Sequence, residues 1–264
     1  MRIKGQKTMK QRLLDREILL GTFVKLNCPQ LVEMLGFSGL DFVIIDSKHG
    51  AYSYADLQDM VRVSNGVSMN AIVRIPSITE ESILHSCDIG AQGIQVPNAN
   101  TLEEITFAAE HMRYHPYGKM EFALTTRASM YTFCNSLDHI NYVNNELLSV
   151  IMIENLEMAG RIQEICQIPQ IDVLFIGVEN ISQSIGKRGQ TNDPEVLAIV
   201  RGITETAMKN GKYVGVYAGT IEEVKMYSNW GIQLIAYISE MVMIATEFKE
   251  VCASLMAIRD ESNM

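Results

Sequence analysis

Acidic side chains end or follow three apolar runs in this chain. Asp46 ends the run Phe-Val-Ile-Ile, Glu154 ends Val-Ile-Met-Ile, and Glu179 closely follows Val-Leu-Phe-Ile. Uninterrupted apolar runs are typical of strands in parallel sheets whose two faces are covered by helices. Active sites of such sheets gather at the carboxyl ends of the strands. The pattern therefore predicts an acidic site assembled from several strands.

Two of these carboxylates suit a metal. Glu154 and Glu179 would face the same rim of a sheet, where they could bind a hard divalent cation. Water or substrate oxygens would complete the coordination shell. The alternative is that both are solvated or paired with a nearby Lys or Arg.

A histidine lies three residues beyond the first carboxylate. His49 has the side chain best matched to proton transfer near neutral pH. A carboxylate such as Asp46 on its other ring nitrogen would fix the tautomer and raise its basicity. The alternative is a loop histidine that is hydrogen-bonded to the backbone.

Cationic groups also fall near predicted strand ends. Arg74 could clamp a carboxylate or a developing enolate oxygen, or it could form a structural pair with Asp46. Lys25 and Lys48 could form a Schiff base with a keto acid, although most lysines at such places are only solvated. The segment 177–182 could offer backbone N–H groups to a carboxylate.

The elements that must position these residues alternate along the chain. Eight strands are predicted, at 19–26, 41–46, 71–75, 93–97, 149–154, 173–177, 213–217 and 234–238. Amphipathic helices are predicted between most of them and at the end, at 29–37, 54–64, 79–89, 102–114, 157–165, 193–210, 220–230 and 241–259.

This alternation favours a (β/α)8 (TIM) barrel, with an open doubly wound sheet as the second choice. Residues 1–264 are expected to form a single barrel domain, because no Pro/Gly/Ser-rich linker divides them. The stretch 113–144 is predicted to be a long irregular insertion.

Composition narrows the class of partner. The net charge of −9 disfavours nucleic acid, so a small-molecule substrate is expected. Five scattered cysteines without a C-x-x-C pair favour reduced thiols. Residues 1–8 lack the apolar core of a signal sequence, and no uncharged apolar stretch reaches about 18 residues. A cytoplasmic protein without a membrane span is predicted.

Taken together, these motifs resemble the HpcH/HpaI aldolase family from about residue 21 to about residue 253. That family includes 2,4-dihydroxyhept-2-enedioate aldolase and 2-keto-3-deoxy sugar-acid aldolases. The matching pieces occur in family order, and they lie at 42–49, 73–76, 88–97, 113–118, 127–129, 153–154 and 175–177.

The resemblance implies a class II aldolase or lyase on a (β/α)8 barrel. Its C-terminal helix would pack on a neighbouring subunit, usually in a hexamer or trimer of dimers. A Mg²⁺, Mn²⁺ or Co²⁺ ion would bind pyruvate or a related 2-oxo acid. A metal-stabilised enolate would then form or break a carbon–carbon bond with an aldehyde, without a Schiff base.

The resemblance also assigns roles. Glu154 and Glu179 would be the metal ligands. Arg74 would stabilise the enolate oxygen, and His49, oriented by Asp46, would move the proton of the aldol hydroxyl.

Two further assignments concern the substrate and the neighbouring subunit. Asp88 would reach the active site of an adjacent subunit. Gly177 and Val178 would hold the substrate carboxylate through backbone amides.

The chain departs from the family pattern at several positions. Lys48 replaces an acidic residue, Glu179 replaces Asp, and Met152 replaces a Gln. Residues 118–121 lack the family's Gly-x-Arg-Gly. Lys48 brings positive charge toward the metal site, where it could hold an acidic substrate. Two alternatives stay open: a metal-independent, citrate-synthase-like enzyme that forms carbon–carbon bonds, and a non-catalytic metabolite-binding barrel.

Overall fold

A computed structural model describes residues 7–262 of the chain. Most of the segment assessed for a signal sequence, residues 1–6, lies outside the described part. Eight parallel strands pair in sequence order and close into a barrel, with β8 returning to β1. The strands are β1 (Leu19–Val24), β2 (Phe42–Asp46), β3 (Asn70–Arg74), β4 (Gly93–Val96), β5 (Leu148–Ile153), β6 (Val173–Ile176), β7 (Tyr213–Ala218) and β8 (Leu234–Ser239). The predicted barrel is confirmed, and the open sheet is wrong.

Helices surround the barrel and lie at both ends of the chain. They are α1 (Met9–Leu14), α2 (Pro29–Phe37), α3 (Tyr54–Gly66), α4 (Glu80–Asp88), α5 (Leu102–His111), α6 (Ser136–Glu146), α7 (Leu156–Gly160), α8 (Ile162–Cys166), α9 (Val178–Ser184), α10 (Pro194–Lys209), α11 (Ile221–Asn229) and α12 (Glu240–Ser262).

Three local predictions differ from the structure. The stretch 113–144 contains most of α6, which begins where the Asn135 side chain accepts a hydrogen bond from the Leu137 N–H. The helix expected at 157–165 is two short helices that meet at Arg161. No helix was predicted at 177–182, where the structure has most of α9.

The strands are apolar throughout because both of their faces are buried. On β2, Phe42 and Ile44 point into the barrel interior, whereas Val43 and Ile45 pack in the layer between sheet and helices. All four side chains are fully buried. This double burial is why runs without polar alternation identified the sheet.

Helix α1 covers the amino-terminal end of the barrel. Its Met9 and Leu13 belong to the apolar cluster of the barrel interior. The Gln233 side-chain amide donates hydrogen bonds to the carbonyl oxygens of Leu13 and Glu17, which attaches this helix and its following turn to the start of β8. The carboxyl-terminal end therefore remains as the open end.

The last helix, α12, carries exposed apolar side chains along most of its length. These are Met241, Val242, Phe248, Val251, Leu255, Met256 and Ile258. Packing of this helix on a neighbouring subunit stays a prediction. Within residues 7–262 no helix has the length and apolar character needed to cross a bilayer.

Candidate active site

A cavity of about 630 Å³ opens at the carboxyl ends of the strands. It brings together most of the residues singled out from the sequence. Those lining it are Lys48, His49, Arg74, Glu154, Gly177, Val178 and Glu179. Its apolar part includes the rings of Phe23, Phe175 and Tyr217 together with Met152. Asp46 is fully buried and does not line the cavity itself.

Asp46 and Arg74 form a bidentate ion pair across β2 and β3. The Arg74 Nε donates to Asp46 Oδ1 at 2.8 Å, and its Nη2 donates to Oδ2 at 2.5 Å. The two residues are direct partners in the parallel ladder, which places both side chains on the interior face. The Arg74 guanidinium also lies 5.1 Å from the centre of the Phe23 ring, a cation–π contact. The structural pairing weighed for Arg74 is therefore present.

Asp46 also shapes the loop that carries the histidine. Its Oδ1 accepts hydrogen bonds of 3.2 Å from the backbone N–H groups of Lys48 and His49. In the described chain, no hydrogen bond joins Asp46 to the His49 ring, so the expected carboxylate–imidazole contact is corrected to a backbone contact. A side chain on Gly50 would collide with the carbonyl oxygens of Asp46 and Lys25, so this tight turn requires glycine.

The surroundings of His49 favour its neutral form. Burial lowers the pKa of His49 below its usual 6.5; Asp46 opposes this shift, whereas Arg74, Lys48 and Lys25 reinforce it. A neutral imidazole at the cavity wall can accept a proton, as a general base requires.

Two asparagines hold Glu154 at the end of β5. The Asn98 backbone N–H donates to Glu154 Oε2 and the Asn180 side-chain amide donates to Oε1, both at 2.6 Å. Asn98 has a left-handed backbone with φ of 55°. A Cβ on Gly177 would lie 3.0 Å from Glu154 Cγ, so glycine makes room for the carboxylate.

The backbone amides after β6 were predicted to bind the substrate carboxylate, and one of them is not free to do so. The Gly177 N–H donates to the Ile153 carbonyl at 2.9 Å, so the expected role of this amide as a substrate donor is corrected. Val178 and Glu179 begin α9, and N–H groups in the first turn of a helix lack intrahelical acceptors. The amides of Val178 and Glu179, unlike that of Gly177, therefore have no intrahelical acceptor.

The donor set fits a hard cation. Glu154 and Glu179 supply carboxylate oxygens to one cavity, and neither forms an ion pair with a Lys or Arg of residues 7–262. That part of the chain has no cluster of three or more His, Cys, Asp or Glu suited to a metal. Two protein oxygens, completed by substrate and water, match the way Mg²⁺ is held in many enzymes.

Two lysines give the cavity positive charge as well. Lys25 and Lys48 line it, and neither has an ion-pair partner among the residues the structure describes. Sequence reasoning missed Asn98 and Asn180, which position Glu154. Asn98 lies two residues after the end of β4. Polar residues in a βα loop at the carboxyl end of a barrel strand are candidates for the active site, so this position was the signal that could have identified Asn98.

Asp88 lies away from this cavity. It ends α4, and helices of this barrel run back from the carboxyl ends of the strands toward their amino ends. Burial raises the pKa of Asp88 to about 6, with Glu121 adding to the rise and His85 opposing it. Within one chain, Asp88 therefore does not join the other candidate residues.

Comparison with known proteins identifies the group to which this site belongs. A sequence model of the HpcH/HpaI aldolase/citrate lyase family matches residues 19–245. The chain belongs to this family. The match spans all eight strands, and it confirms the resemblance drawn from the motifs.

Two relatives are aldolases, which are carbon–carbon lyases. The 2-dehydro-3,6-dideoxy-6-sulfogluconate aldolase of Pseudomonas putida is 25% identical over 89% of this chain and 92% of its own length. The 5-keto-4-deoxy-D-glucarate aldolase of Enterobacter sp. (strain 638) is 26% identical over 88% of this chain and 90% of its own length. These relatives bear out the predicted enzyme class.

Solved structures share the barrel. Citrate synthase SbnG has a TM-score of 0.85 and 26% identity, covering 98% of this chain and all of its own. The citrate lyase beta subunit of M. tuberculosis, solved with oxaloacetate and magnesium, has a TM-score of 0.58 and 14% identity. It covers 84% of this chain and 92% of its own, and at that identity the likeness concerns the fold alone.

Proposed function

We propose that this protein is a divalent-metal-dependent aldolase. It would reversibly cleave a 4-hydroxy-2-oxo acid into pyruvate, or a related 2-oxo acid, and an aldehyde. The observation that carries the proposal is a single cavity in which Glu154 and Glu179, carboxylates without cationic partners, lie beside Arg74 and His49. Such a set combines electrostatic stabilisation with a proton acceptor.

Glu154 and Glu179 would hold a Mg²⁺, Mn²⁺ or Co²⁺ ion. When bound, the ion supplies Lewis-acid stabilisation of the negative charge that develops on the 2-oxo group. The amides of Val178 and Glu179 would receive the substrate carboxylate. This replaces the use of the Gly177 amide, which is already engaged by Ile153.

The remaining groups would handle the proton and the charge. His49 accepts the proton of the C4 hydroxyl, directly or through a water, as the C3–C4 bond breaks and the aldehyde leaves. Arg74, held by Asp46, donates to the oxygen of the resulting pyruvate enolate. His49 would then return the hydroxyl proton to C3, directly or through a water, which yields pyruvate and restores the neutral imidazole. Lys48 would attract an anionic group on the substrate.

Metal removal tests the proposal. The purified protein would be stripped with EDTA and assayed for pyruvate release from a panel of 4-hydroxy-2-oxo acids. Activity should vanish on stripping and return with Mn²⁺, Mg²⁺ or Co²⁺. Full activity in chelator would exclude the metal mechanism, and no pyruvate release with any ion and substrate would exclude the aldolase.

A second candidate is carbon–carbon bond formation without metal. The unpaired Lys25 and Lys48 favour it, because protein cations could take over part of the charge stabilisation. The likeness to citrate synthase SbnG supports the bond-forming direction of this candidate. Isothermal titration with Mn²⁺ separates the two: binding that Glu154→Gln abolishes favours the first candidate, and undiminished turnover without binding favours the second.

The expected setting is a cytoplasmic homo-oligomer. Exposed apolar residues on α12 support association, and all five cysteines are free thiols. Asp88 would then approach the cavity of a neighbouring subunit. Light scattering should report an oligomer such as a hexamer, and a monomer would remove the role proposed for Asp88.

A further inference from the structure

Gln95 is a buried amide without protein partners. It lies on β4 with no exposed surface, and both Nε2 and Oε1 lack a hydrogen bond to any described residue. Its strand neighbours Ile94 and Val96 pack in the layer between sheet and helices, so Gln95 points into the barrel interior.

The position of Gln95 places it beside the cavity floor. Its partner on β3 is Arg74 and its partner on β5 is Val150, two residues before Met152. Arg74 and Met152 both line the cavity. Gln95 therefore stands on the strand between the β2–β3 residues and Glu154, and it is the ladder partner of Arg74.

One nitrogen of the Arg74 guanidinium, Nη1, is not used by Asp46. Asp46, from β2, takes Nε and Nη2 of Arg74, whereas Nη1 has no hydrogen-bond partner within residues 7–262. Gln95 approaches Arg74 from the other neighbouring strand. A buried amide without partners costs stability, and an apolar side chain of similar size would avoid that cost.

We propose that Gln95 is a positioning residue for Arg74. Its amide holds an ordered water that also accepts a hydrogen bond from Arg74 Nη1, and this water fixes the guanidinium on the side that Asp46 does not reach. The inference rests on the proposed function, in which Arg74 donates to the enolate oxygen. Buried waters of this kind bridge groups that lack protein partners.

The decisive variant is Gln95→Met, which keeps the side-chain length and removes the amide. Its matched control is Asn65→Leu, because both amide atoms of Asn65 are likewise buried without a described partner, but Asn65 lies on α3 rather than in the barrel interior. Both variants should unfold at a temperature equal to or above that of the wild type. Gln95→Met alone should lower kcat for pyruvate release, by about tenfold, with KM little changed.

A crystal structure of the wild type supplies a measurement that needs no variant. Density for a water within hydrogen-bond distance of Gln95 and Arg74 Nη1 is expected. A direct Gln95–Arg74 contact, or wild-type kcat in Gln95→Met with an active wild type, would overturn the inference. If the wild type itself released no pyruvate, that result would contradict the proposed function and not the role of Gln95. The crystal structure would then still show whether the bridging water is present.

Discussion

The cavity has two walls that treat charge in opposite ways. On the β2–β3 wall, Asp46 and Arg74 neutralise each other in a buried bidentate pair. On the β5–β6 wall, Glu154 and Glu179 face the cavity, and no Lys or Arg of residues 7–262 pairs with either. Glu154 accepts two hydrogen bonds there. The charges of the Asp46–Arg74 pair therefore balance within the protein. The β5–β6 wall concentrates negative charge that a bound cation would balance, so the two walls should respond differently to mutation.

The largest effect is expected on the β5–β6 wall. Glu154→Gln removes a charge from the proposed metal site and should lower kcat/KM by about 1,000-fold, since a Lewis acid contributes several kcal/mol. Mn²⁺ binding by calorimetry should weaken in parallel. Glu157→Gln, an exposed change nearby on α7, is the control and should leave both unchanged. Intact metal binding in Glu154→Gln would remove the distinction between the walls.

His49→Ala should follow, with a loss of about 100-fold or more in kcat. The base form of His49 is the neutral ring, and burial lowers its pKa from 6.5. The acidic limb of the wild-type kcat/KM profile should therefore lie below pH 6.5, and it should disappear in His49→Ala. A wild-type limb above pH 6.5 would contradict the lowered pKa of His49.

Asp46→Asn tests how much the buried Asp46–Arg74 pair contributes to the free energy of unfolding. Breaking a buried pair leaves the Arg74 charge without its partner and should cost about 3 kcal/mol of unfolding free energy. Urea denaturation measures it. The double change Asp46→Asn with Arg74→Met should recover much of the stability but not the activity. Recovery of both would mean that the pair serves only the fold.

The smallest effect is expected for Lys48→Gln. Loss of an unpaired, partly exposed cation should raise KM about tenfold for substrates with an additional anionic group and hardly at all for neutral ones. Lys225→Gln, an exposed change on α11, is the control. An equal change in KM for both types of substrate would show that Lys48 does not interact with the additional anionic group.

Much of this arrangement was predictable from strand ends. Glu154, Glu179, Arg74 and His49 line one cavity because parallel strands bring their carboxyl ends to one rim. The partners of each group were not predictable. Asp46 could have paired with the His49 ring or with Arg74, and the sequence contained both options.

The start of the helix next to the site could not be predicted from the local sequence pattern either. No helix was predicted at 177–182, yet α9 begins at Val178, with only Gly177 between it and β6. Its seven residues are too few for a clear helical period. The Gly177 N–H, which was expected to bind the substrate, instead donates to the Ile153 carbonyl. The amides left for a substrate are therefore those of Val178 and Glu179.

The sequence by itself determined the barrel and the rim at which its polar residues meet, because fully buried strands and the helices between them leave a strong one-dimensional pattern. Only the tertiary structure decided that Asp46 holds Arg74 and that Asn98 and Asn180 hold Glu154. It also decided that Gln95 has no hydrogen-bond partner among residues 7–262. Those outcomes depend on register and side-chain direction between strands distant in sequence, and a pattern along one strand does not carry that information.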